Sequence, residues 1–175
     1  MTAFTAFTLA HTAVSLLPIG FGFYSFARHG NINPKTVSGK WYLGTMFVGS
    51  VSSFGFIPAF GFTPGQVLTL ATLALLSAGT LTLRGEWRTR GYKQTVALTT
   101  SFLLLMVFAT TETLKHFPVG QPFAASAADP SLIPVRLGLL TAYLSGLGYQ
   151  LWRVHQKFGP VARLERILAS YHHAA

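Results

Sequence analysis

The stretch WYLGTMFVGSVSSFGFIPAFGFTPGQVLTLATLALLSAGTLTL, residues 41–83, contains no Asp, Glu, Lys, Arg or His. As one helix rising about 1.5 Å per residue it would measure about 64 Å, twice the roughly 30 Å hydrocarbon core of a bilayer. The run therefore predicts two membrane crossings. The segment Ile57-Pro58-Ala59-Phe60-Gly61-Phe62-Thr63-Pro64-Gly65 supplies the bend, since two prolines and two glycines interrupt it where a single helix would continue.

The rest of the chain agrees with this hairpin. Half of the residues are hydrophobic, 10% are charged and the mean hydropathy is +0.45, which leaves too little polar surface for a water-soluble domain of 175 residues. The net charge of +9 decides topology rather than partner class. Apart from Lys115 and Arg136, every Lys and Arg lies between or just beyond apolar spans: Arg28, Lys35, Lys40, Arg84, Arg88, Arg90, Lys93, Arg153, Lys157, Arg163 and Arg166. Five spans with the N-terminus outside place all of these on the cytoplasmic side, as the positive-inside rule requires. The expected partners are the lipid bilayer and other membrane subunits, with no nucleic acid. The absence of Cys excludes disulfides, thiolate metal sites and thiol catalysis.

The expected architecture is an all-α integral membrane bundle of five transmembrane helices, N-out and C-in, in the inner (plasma) membrane. The spans fall at about 5–28, 41–58, 65–84, 94–116 and 131–154, within a transmembrane domain of residues 1–156. The first span has no basic residue before Arg28 and stays aromatic through Phe21, Phe23, Tyr24 and Phe26, so it reads as a retained helix, interrupted by Pro18, rather than a cleaved signal. Residues 157–175 form a cytoplasmic tail in which Val161, Leu164, Ile167, Leu168 and Tyr171 alternate with Arg163 and Arg166, the pattern of a short amphipathic interfacial helix.

Three small-residue faces predict helix packing. Thr8, His11, Ser15, Pro18 and Gly22 share one face of the first span; Thr45, Gly49 and Ser53 recur every four residues in the second; Gly138, Ala142 and Gly146 do so in the fifth. Between the fourth and fifth spans, residues 118–130 form an outer segment long enough to pack over the mouth of the bundle.

Ionisable groups inside spans are costly and face a partner or a cavity. Counted from the outer helix ends, His11, Glu112 and Arg136 come to similar depth, with Lys115 and His116 one turn along from Glu112. One arrangement is a structural polar layer, with Glu112 bonded to Arg136 or Lys115 and His11 satisfied by Ser15 or a water. Another is a b-type haem between His11 and His116, with Arg136 or Lys115 on a propionate and His29 and His155 as a weaker second pair at the inner ends. A pigment, or a quinone or lipid held by His11 and Glu112 between Phe walls, would use the same layer. No phosphate loop, HExxH helix or Ser-His-Asp constellation is present, so no catalytic residue is assigned.

His11 with Gly20 and Gly22, the basic turn, and then Gly39-Lys40-Trp41-Tyr42 resemble an uncharacterised family of small bacterial multi-pass membrane proteins. That family carries a His early in its first helix and a Gly-basic-x-Tyr step at the start of its second. The resemblance covers about a quarter of the chain and implies fold and bacterial membrane location, with His11 as the position carried over. The expectation is a non-catalytic accessory subunit of a bioenergetic or photosynthetic complex; the alternative is an electron-transfer protein using the histidines.

Overall fold

The computed structural model describes residues 2–81 and 87–158; the expected amphipathic helix lies outside the described residues. Among them helices are the regular secondary structure, with no strand, and five segments are long and apolar enough to cross a membrane: Ala3–His29, Val37–Phe60, Pro64–Leu81, Gly91–His116 and Pro130–Gln156. In element order these are α1 (Ala3–His29), α2 (Val37–Ser53), a 3-10 turn (Phe54–Phe56), α3 (Ile57–Phe60), α4 (Pro64–Leu81), α5 (Trp87–His116), a second 3-10 turn (Pro130–Leu132) and α6 (Ile133–Phe158). Helix α1 packs on α2, α2 on α4, α4 on α5 and α5 on α6; α1 and α5 meet more narrowly.

Local chemistry explains where the helices start and stop. Thr2 and Thr36 cap α1 and α2 by accepting from the Thr5 and Gly39 amides. α1 ends at Gly30, whose φ of 76° is the left-handed conformation of a helix C-cap and whose N–H bonds Phe26 O. The bend between the second and third spans is made by Gly61, at φ 72°, and Pro64, while Pro58 is absorbed into the first turn of α3. Thr63 and Gln66 then form half of a capping box: the Gln66 side chain accepts from both the Thr63 amide and its hydroxyl.

Two boundaries differ from expectation. α1 is continuous through Pro18, which is buried; a proline inside a membrane helix is tolerated where neighbouring groups replace its lost hydrogen bond. α5 begins at Trp87 rather than near 94, so Arg88, Arg90 and Lys93 ride on its first turns. Arg and Lys are good helix formers, and no proline separates them from the apolar run.

The interior is tied by hydroxyls more than by charges. Tyr42, fully buried, bonds Ser101 at 2.8 Å and links α2 to α5 within a core of Ile32, Met46, Leu76, Leu98 and Phe102. Ser25 bonds Ser38 at 2.9 Å across α1 and α2. α6 is held to α5 by Gln150 on Thr99, 2.7 Å, and Tyr143 on Thr100, 2.7 Å. Such interhelical polar contacts are each worth about 1 kcal/mol in membranes. Glycine permits the closest approaches: a Cβ on Gly22 would fall 2.3 Å from the Phe102 ring, and one on Gly79 would fall 2.6 Å from Leu98.

Asp129 organises the segment that leads into α6. Its carboxylate accepts from the Ala125 amide at 2.8 Å and the Ser131 amide at 2.9 Å, and these bonds hold its pKa below the ordinary 3.8. Because the folded segment favours the ionised form, its contribution is complete above that ordinary value and is lost as pH falls through the lowered one. The Ala125 and Ser131 amide resonances are therefore expected to titrate together with a midpoint below 3.8. A midpoint at or above it would remove the cap.

Candidate functional site

The face of α1 expected to look inward does so: Pro18 and Gly22 are buried, and His11 and Ser15 are half-buried. Ser15 lies against Gly49 of α2, where an added Cβ would meet its hydroxyl at 3.0 Å. Here four helices part around a cavity of about 80 Å³. His11 and Ser15 come from α1, Met46, Gly49, Ser50 and Ser53 from α2, Thr69 and Thr72 from α4, and Leu104, Leu105 and Phe108 from α5. It sits in the half of the bundle that holds the start of α1 and the 61–63 bend. An aromatic cluster stands between His11 and that end: Phe56 meets the imidazole edge-on at 4.9 Å, and Phe7 and Phe60 pack on Phe56 at 5.1 and 6.4 Å.

The hydrogen bonds favour one tautomer of His11. Ser52 Oγ lies 2.9 Å from Gly49 O, which can only accept, and 2.8 Å from His11 Nδ1. Both contacts are hydrogen bonds at once when Ser52 donates to the carbonyl and the imidazole proton sits on Nδ1. Nε2 carries a lone pair, and the nearest hydroxyl, Ser15, is 3.5 Å off, too long for a good bond.

The other expected site residues do not join His11. His116 Nδ1 bonds Glu112 O of its own helix at 2.8 Å, its side chain is exposed, and it does not line the cavity. Of the two cations offered to Glu112, the structure selects Lys115, whose Nζ lies 2.9 and 3.1 Å from the two carboxylate oxygens. A partly exposed pair of this spacing stabilises a helix by about 0.2–0.5 kcal/mol. Arg136 instead donates to Ala127 O at 2.5 Å, and its Nε is buried without a partner among the described residues. Of the two pairings open to Glu112, the one with Arg136 does not form and each group makes a local contact, because a lysine three residues away on the same helix reaches the carboxylate without any help from helix packing. His29 is exposed at the end of α1, and His155 bonds Tyr92 OH at 3.2 Å. Among the described residues no three His, Cys, Asp or Glu side chains cluster as metal ligands.

Sequence reasoning missed Ser52, which sets the imidazole. It lies beside the Thr45, Gly49, Ser53 seam rather than in it, and only the offset between α1 and α2 brings it opposite His11. The Gly39-to-Tyr42 step also gains a physical role: Gly39 lies under the Asn33 carbonyl and Tyr42 is the core tie to α5.

Fold and site together define a multi-pass α-helical membrane protein whose interior polar groups are mostly hydroxyls. No protein-family model, curated protein or solved structure matches the chain.

Proposed function

We propose that the chain is a non-catalytic accessory subunit that packs against other membrane subunits of a bioenergetic or photosynthetic complex in the inner membrane, N-terminus outside and C-terminus cytoplasmic. The observation that carries this is α6. It touches the rest of the bundle along one side, against α5, and only 6% of its most apolar window is buried. Its small-residue stripe, expected to pack a helix, meets none: a Cβ added at Gly138 or Gly146 finds open space within 4 Å. Small residues at this spacing let helix backbones approach closely, and they are enriched where membrane helices associate. Leu137, Leu140 and Leu144 are exposed on the same helix.

The electron-transfer alternative needs His11 and His116 at one site. It has less support, because His116 is exposed and engaged with its own helix while His11 lines a cavity of about 80 Å³. That volume is far below the roughly 300 Å³ at which ligand pockets begin.

The test uses the open glycines. Gly138→Leu with Gly146→Leu is expected to leave the thermal midpoint of the isolated protein unchanged or raised, since a Cβ at either position meets open space and helix propensity improves by about 1 kcal/mol per site. In mild detergent the same variant should lose its co-migration with stoichiometric partner chains. Unchanged co-migration would contradict the assignment of this face.

A further inference from the structure

The cavity at His11 offers a chemistry that a packing subunit does not require. Nε2 of His11 is an acceptor with no good partner, and the hydroxyls of Ser50 and Thr72, which line the same space, have no hydrogen-bond partner among the described residues. Ser53 and Thr69 are already engaged: their hydroxyls bond each other at 3.1 Å and lie 2.8 and 3.0 Å from the Ser50 and Gly65 carbonyls. A hydroxyl suits both sides of this space: it can accept from Ser50 or Thr72 and donate to the imidazole lone pair, whereas a group that only accepts leaves the imidazole without a partner.

Between α1 and α5 the bundle is thinly packed. α1 meets α5 through Gly22, Phe23 and Phe26 against Phe102. His11 lies eleven residues before Gly22, about 16 Å along the helix, where the cavity occupies the space between α1 and α5. Phe108, 41% exposed, marks its rim, while Phe7 and Phe56 stand over His11 toward the end of the bundle. A molecule entering between α1 and α5 at this depth would come from the lipid, so it would be one dissolved in the membrane. The enclosed part is about half the size of a dry cavity of roughly 150 Å³ that takes a benzene ring, so it fits a hydroxyl head with the remainder lying against Leu104, Leu105 and Phe108.

We propose that this cavity is a binding site for the hydroxyl head of a membrane-dissolved amphipath, a quinol or a long-chain alcohol, which donates its hydrogen bond to His11 Nε2. The site is independent of the α6 face and stands or falls separately from it.

The experiment is saturable photolabelling of the full chain in lipid nanodiscs with a diazirine-bearing long-chain alcohol, under anaerobic conditions. Adducts are expected within residues 11–15 and 104–108. Unlabelled long-chain alcohol and a short-tailed quinol should compete, and the quinol's dimethyl ether and the corresponding quinone should compete at least tenfold more weakly, because neither donates. Competition by the alcohol alone would assign an aliphatic lipid alcohol; competition by both would extend the site to a quinol ring. His11→Phe should abolish the adducts. Ser52→Ala, which removes the acceptor that holds the proton on Nδ1, should keep the fold and let quinone compete within about threefold of quinol. Equal competition by the dimethyl ether in the wild type, adducts spread evenly along the lipid-facing helices, or undiminished labelling of His11→Phe would each overturn the proposal.

Discussion

Gly39→Ala is expected to destabilise the protein by about 3 kcal/mol or more, the upper part of the range for overpacking a close-packed site. A Cβ at this position would fall 1.9 Å from the Asn33 carbonyl oxygen and 2.5 Å from its carbon. Both are backbone atoms, and that oxygen already accepts from the Thr36 amide at 3.0 Å and the Thr36 hydroxyl at 2.8 Å. The turn cannot retreat without breaking the cap of α2, in which Thr36 also accepts from the Gly39 amide. The helix-propensity gain of Ala over Gly, about 1 kcal/mol, is too small to compensate. Gly44→Ala is the control: it lies in the same helix with nothing within 4 Å, and it should be neutral or stabilising. Thermal unfolding of the two variants in one detergent checks the pair. A Gly39→Ala midpoint equal to that of Gly44→Ala would show that the turn does not rest on Gly39.

The second large effect concerns Tyr42 and Ser101, and its sign pattern is more informative than its size. Ser101 donates its proton to Leu98 O at 2.8 Å, so Tyr42 is the donor in the 2.8 Å bond between them. Tyr42→Phe removes that donor and strands nothing, because Ser101 keeps its bond to Leu98; the cost should be about 1 kcal/mol. Ser101→Ala leaves a phenol proton in a fully buried position without an acceptor, which should cost about 1–3 kcal/mol. The double variant should then resemble Tyr42→Phe alone, since an absent hydroxyl needs no acceptor. Tyr42→Ala, which also empties the core between Ile32, Met46 and Phe102, belongs with large aromatic truncations at about 3–5 kcal/mol. Unfolding free energies for the four variants would test the ordering. Equal costs for Tyr42→Phe and Ser101→Ala would mean that Tyr42 is not the donor.

What the sequence made legible follows from how far each signal depends on neighbours. The spans needed only local composition: charges are absent from 41–83 and gather at its borders, so five apolar helices were readable before any packing was known. The inward face of α1 was readable for the same reason, since His11, Ser15, Pro18 and Gly22 differ chemically from the phenylalanines around them. Partner choice was not. Whether Glu112 meets Arg136 or Lys115 depends on the rotation of α5 against α6, and the nearer cation prevails because it lies on the same helix. The stripe on α6 was read correctly as small, but no periodicity says whether the facing helix belongs to the same chain. The Thr63-to-Gln66 capping box was present in the letters and marks the start of α4 more sharply than the prolines do. The start of α5 was hidden by the assumption that a basic run is a loop.

The measurement that tests the central claim most directly is site-specific photocrosslinking in native membranes from an unnatural residue placed at position 146. The stripe of α6 faces away from its own bundle, so the account predicts one discrete protein adduct of fixed mass, formed by a membrane polypeptide that also co-migrates with the chain in mild detergent. A compact diazirine analogue of leucine at position 98, which is fully buried beside Gly79, should give only intramolecular products and serves as the reference. Lipid adducts alone at position 146 would contradict the account and leave α6 as a helix that faces the bilayer.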